Sequence, residues 1–233
     1  MNLRDHHGSV EAHDHARTQP SRSLRLRAGV WRALVGGGPQ GNQELTTIAG
    51  AILIVLLAVI GITIIRIGQL LWLHLFVGLL LLGPIVVKIA STGYRFIRYY
   101  TQNAVYRTKG PPEPILRVIA PIVVASTLVV FITGILLLAV GPSARGELLF
   151  LHKASFFVWL ASTGAHVLGH LPTMVRWISA PKSGPEGLGT PPGATGRWLV
   201  LGGGLAVGLI IAIALIPDFG SWTAHTAALH GEH

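Results

Sequence analysis

Apolar residues in this chain fall in long unbroken runs, not in alternation. Leu45–Ile65 holds 21 residues without Asp, Glu, Lys or Arg, and Ile67–Val87 and Val118–Val140 are two more such runs. A fourth extends from about Leu148 to Leu171, broken only by Lys153, and a fifth from Trp198 to Pro217. A membrane-crossing helix needs about 20 apolar residues, so the pattern predicts an all-α polytopic membrane protein with five spans. The polar segments between them fix the domain plan. Tyr99–Pro114 contains Gly110, Pro111, Pro112 and Pro114 and reads as a loop. Residues 177–197 form a Pro/Gly-rich linker that sets a four-span unit, 45–176, apart from a lone fifth span, 198–217. Residues 1–44 begin His-rich (His6, His7, His13, His15) and turn basic. They are expected to be disordered at first, with Leu24–Leu34 a short basic helix on the membrane surface. Residues 218–233 read as a His-containing tail.

Composition supports this picture: 51% of the chain is hydrophobic and only 12% charged. Six arginines precede the first span (Arg4, Arg17, Arg22, Arg25, Arg27, Arg32). The span 2–3 connection adds Arg95, Arg98, Arg107, Lys109 and Arg117, and the span 4–5 connection Arg176, Lys182 and Arg197. The other side holds Arg66, Arg145 and Lys153. The positive-inside rule then places the N-terminus in the cytoplasm and the C-terminus outside, in a bacterial-type inner membrane. Topology and anionic lipid account for the net charge of +9, so a nucleic-acid partner is not expected. The absence of cysteine excludes disulfides, iron–sulfur ligation and thiolate chemistry by this chain. No cleavable signal pattern is seen, and span 1 itself is expected to target the chain.

Four ionisable residues lie inside the spans at matched intervals: His74 and Lys88 on span 2, His152 and His166 on span 4, each pair 14 residues apart. Fourteen residues are nearly four turns, so the members of a pair share a face about 21 Å apart along the axis. Ionisable residues inside membrane helices are candidates for function. Spans 2 and 4 both run inward, so His74 and His152 sit at similar outer depth and can bind one ion from opposite sides, as a porphyrin iron requires. A zinc site wants about four ligands, and no Asp, Glu or Cys completes a set at this depth. Packing without a ligand is the plain alternative. At the inner level Lys88 faces His166. A lysine ligand must first lose its proton, and snorkelling to the headgroups, or a salt contact to a haem propionate or quinone, is the favoured reading. His170, one turn beyond His166, is a substitute ligand. Gly50 and Gly61 on span 1 and Gly134 on span 3 give helices or a flat cofactor close access to the backbone. Arg66 or Arg145 can pair with a propionate. The aromatic and basic stretch Ser91–Tyr100, with Trp31, Trp177 and Trp198, reads as an interfacial belt.

On these residues the chain resembles the four-helix di-haem cytochrome b core. That core is found in the membrane subunits of formate dehydrogenase and membrane-bound hydrogenase, and in the N-terminal half of respiratory cytochrome b. The resemblance covers roughly residues 45–176. The family's pair of histidines on the fourth helix is matched by His152 and His166. The like-spaced pair on the second helix is matched by His74 and departed from at Lys88. Family glycines on helices one and three correspond in depth to Gly61 and Gly134, with Ala120 where the inner one of helix three is expected. The resemblance implies haem b at the outer level, a second, inner site left open between a haem, a quinone and nothing, and electron transfer between an outer partner subunit of an oxidoreductase complex and the membrane. Within the sequence no Ser–His–Asp set, phosphate loop or intramembrane carboxylate pair offers another chemistry. The competing expectations are a metal-handling transporter using the same histidines and the His-rich ends (His225, His230, His233), and a cofactor-free membrane anchor.

Overall fold

The computed structural model describes residues 37–107, 114–179 and 192–230, all in helices and short turns with no strand. In chain order the helices are α1 (Gly38–Ile65), α2 (Ile67–Leu80), α3 (Leu82–Tyr100), α4 (Ala104–Arg107), α5 (Pro114–Val140), α6 (Gly146–Ser179), α7 (Ala194–Ala214) and α8 (Phe219–His230). Five stretches are long and apolar enough to cross a membrane: Gly38–Ile65, Ile67–Tyr100, Ile115–Val140, Gly146–Pro172 and Ala194–Ala214. This is the all-α polytopic architecture that the apolar runs predict. The basic stretch Leu24–Leu34, the N-terminal histidines, most of the 177–197 linker and His233 lie outside the described residues.

The helices outrun the apolar runs. α1 starts seven residues before Leu45, on Gly37 in the left-handed region (φ 104) with Pro39 in the first turn. The stretch Ser91–Tyr100 simply continues the second span. A backbone entering the headgroup layer keeps its helical hydrogen bonds because unpaired amides are costly there. The second span is interrupted between α2 and α3 at Leu81. Pro84 has no N–H to offer the Leu80 carbonyl one turn earlier, so that carbonyl is left without its usual donor.

α7 fills that weak point, and the linker does not leave it as a separate element. A Cβ on Gly208 would lie 2.2 Å from the Leu80 oxygen, and one on Gly83 would lie 1.8 Å from the Gly204 oxygen. Only glycine hydrogens fit there, and the contact is of the Cα–H···O type that stabilises close helix pairs. The starts of α1 and α7 are joined by an ion pair, Arg197 Nη2 to Glu44 Oε2 at 2.7 Å. Arg197, only 7% exposed, also donates from Nη1 to the Pro192 carbonyl (2.9 Å).

Two groups of helices result. α1, α2, α3 and α7 pack together, while α5 and α6 form a hairpin in contact along its length. The hairpin seam is partly polar: Trp159 Nε1 donates to Thr127 Oγ1 (3.0 Å), and Ser126 faces Ser162 (3.4 Å). The groups meet mainly at the end of the bundle that carries α8. One buried cluster joins Leu79 of α2, Leu137 and Leu138 of α5, Ala212 of α7, and Phe219 and Trp222 of α8. The C-terminal stretch expected as a tail is therefore largely a helix on the bundle. Phe219 and Trp222, three residues apart on one face, are 1% and 9% exposed.

Candidate functional site

His74 stands in the second turn of α2 and His152 in the second turn of α6. Each is gripped at Nδ1 by a threonine from the preceding span. Thr63 Oγ1 of α1 gives its own hydrogen to the Ile60 carbonyl (2.7 Å). It can therefore only accept from His74 Nδ1–H, at 3.0 Å. Thr133 Oγ1 of α5 gives its hydrogen to the Val129 carbonyl (2.7 Å) and accepts from His152 Nδ1–H at 3.0 Å. His152 Nδ1 also reaches the Val130 carbonyl at 3.1 Å. The same consequence follows at both histidines. The proton is on Nδ1, and Nε2 carries the lone pair.

Both threonines are deeply buried, Thr63 at 0% and Thr133 at 3% exposure, so these bonds are made in a low-dielectric setting where they hold ring orientation firmly. His74 and His152 come from different helix groups, and His152 lies within electrostatic range of His74. Gly134 makes room for the second ring: a Cβ there would lie 3.2 Å from His152 Cε1. Gly61 borders open space, with nothing within 4 Å of a Cβ placed on it. Two imidazoles held at Nδ1, with Nε2 lone pairs left over, are residues that could hold a planar macrocycle already supplying four ligands to its metal. Among the described residues no group of three or more His, Cys, Asp or Glu gathers, as a metal held by protein alone would want.

The chain matches no family model, no curated protein and no solved structure.

Lys88 of α3 does not run out to the headgroups: its Nζ donates to the Thr46 carbonyl of α1 (2.8 Å) and lies against Gly50. Around it Asn42 Nδ2 donates to the Ser91 carbonyl (3.0 Å) and Thr46 Oγ1 lies 3.0 Å from Ser91 Oγ. His166 is within electrostatic range of Lys88. Its Nδ1 is buried without a hydrogen-bond partner. His170 is exposed, and its ring meets that of His166 edge-on at 4.6 Å. Arg66, at the turn between α1 and α2, is exposed. Arg145 hydrogen-bonds His225 Nε2 of α8, so the C-terminal helix holds the arginine named above as a propionate partner. Near the end of α3, the Arg98 guanidinium lies 5.9 Å from the rings of both Tyr94 and Tyr106, which gives the belt stretch an internal packing role. Burial, the largest cause, together with Tyr94, holds the Tyr106 phenol above its ordinary range.

Sequence reasoning misses Thr63 and Thr133. The available signal is position: Thr63 is two residues after Gly61, and Thr133 immediately precedes Gly134, so each lies beside a glycine already marked as facing the site.

Proposed function

We propose that this protein is a b-type cytochrome membrane subunit that holds haem b between His74 and His152. The observation that carries the reading is the matched pair of threonine-anchored histidines on opposing helix groups, each with Nδ1 donating and Nε2 left with its lone pair. Ligating histidines need this second-side hydrogen bond to fix tautomer and ring plane. A bound haem b would supply one-electron redox chemistry. The chain's own part is to orient both imidazoles, bury the site and set the ligands' basicity through the Thr63 and Thr133 hydroxyls. Both histidines lie in the second turn from the outer ends of their helices, so exchange with an outer partner subunit of an oxidoreductase complex is favoured, with the quinone pool as the membrane-side terminus. The distribution of Lys and Arg supports an inner-membrane setting with the N-terminus in the cytoplasm.

Protein purified in detergent after expression with adequate haem supply should show reducible Soret and α bands of the b type. Colourless protein under those conditions rejects the reading. The two hydroxyls give a finer test. Thr63→Val removes the hydrogen-bond partner shown for His74, and haem affinity should fall about 10- to 100-fold, as for other supports of metal-ligating histidines. Thr133→Val should cost less, because His152 Nδ1 keeps the Val130 carbonyl. Haem titration of the two variants checks the order, and equal losses would contradict the assigned roles.

A further inference from the structure

The inner level is built differently from the outer one, although the 14-residue intervals place Lys88 and His166 where a second pair of ligands would stand. At the outer level each ligand side chain has a hydroxyl that fixes it and leaves a lone pair over. At the inner level neither condition holds. The Lys88 amine is a donor to the Thr46 carbonyl at 2.8 Å, and a protonated amine has no lone pair to offer a metal. To ligate, it would have to lose a proton, and its bond to Thr46 holds it against α1. His166 Nδ1 is buried with no hydrogen-bond partner, so the hydroxyl clamp that orients each outer histidine is missing here.

The space is taken as well. The Gly50 notch on α1, which would let a flat ring approach the backbone, is filled by the lysine: a Cβ on Gly50 would lie 3.1 Å from Lys88 Nζ. His170 cannot serve in place of Lys88. It shares a helix face with His166 four residues away, and their rings are in contact at 4.6 Å. Two such imidazoles approach from the same side, and opposite axial positions on one metal need two different helices.

We infer that Lys88 closes the inner level of the bundle to a porphyrin, so that the chain takes one haem, at His74 and His152, where the family it resembles takes two. The single residue that decides this is Lys88, pinned to α1 by Thr46 and seated at Gly50. The inference rests on the haem reading of the outer site.

Haem-to-protein stoichiometry, measured by pyridine haemochrome against quantitative amino-acid analysis on the full chain, separates the two. A value near one, abolished by His74→Ala and unchanged by His166→Ala, is the expected result. A value near two, or a halving by His166→Ala, overturns the one-haem inference while keeping the haem reading. A value of zero overturns the haem reading itself. Lys88→His adds a gain-of-function arm: it frees the Gly50 notch of the ammonium and supplies an imidazole opposite His166, and haem content should rise from about one to about two, with a second component in the redox titration. Lys88→His that folds, keeps the outer haem and stays at one shows that Lys88 is not the determinant.

Discussion

Replacing His74 or His152 by alanine is expected to remove the haem. Each variant deletes one of the two proposed ligand nitrogens and leaves the other oriented but alone. Loss of a supporting hydrogen bond already costs about 10- to 100-fold in affinity, so loss of the ligand itself should exceed that range. The b-type bands should fall to roughly a tenth or less of the wild-type intensity per protein under the same haem supply. The hydroxyl partners stay behind, since Thr63 and Thr133 keep their bonds to the Ile60 and Val129 carbonyls, and the helices lose only a partly buried side chain. Fold and ligation can therefore be separated: exogenous imidazole should restore a low-spin spectrum in His74→Ala if the pocket is intact. A full haem complement in both variants would exclude this pair as the ligands.

The largest effect on stability is expected at the contact of α7 with the second span. Gly83→Ala places a methyl 1.8 Å from the Gly204 oxygen, and Gly208→Ala places one 2.2 Å from the Leu80 oxygen. Both obstacles are backbone atoms, which no side-chain rotation can clear, so the helices must separate. Overpacking costs about 1–3 kcal/mol where neighbours can adjust, and these sites should reach or pass the top of that range. Gly202→Ala and Gly203→Ala are the internal controls. Nothing lies within 4 Å of either added methyl, and alanine is the better helix former by about 1 kcal/mol. Thermal unfolding in detergent should show marked losses for the first pair and none for the second. Equal behaviour of all four variants would remove α7 from the bundle.

The same comparison shows which features are local. The five spans, their approximate ends and the depth of His74 and His152 follow from runs of apolar residues and from the rise of a helix, because lipid asks each segment separately whether it can be buried. The positions of Lys88 and Pro84 are legible for the same reason. The direction of Lys88 is not. Snorkelling is the natural expectation for a lysine near a helix end, and what turns it inward is a carbonyl 42 residues away on α1. Likewise no composition rule marks 218–233 as more than a tail, since the packing of Phe219 and Trp222 depends on leucines from α2 and α5.

By itself the sequence determined a five-span helical membrane protein with two histidines at one depth and an unmatched lysine at another. Tertiary structure alone decided that Thr63 and Thr133 hold the histidines by Nδ1, that Lys88 seals the Gly50 notch, and that α7 and α8 belong to the bundle. The first set depends on how each segment partitions into lipid. The second depends on hydrogen bonds and close contacts between residues 11 to more than 100 positions apart, where one hydroxyl or one missing methyl selects the partner.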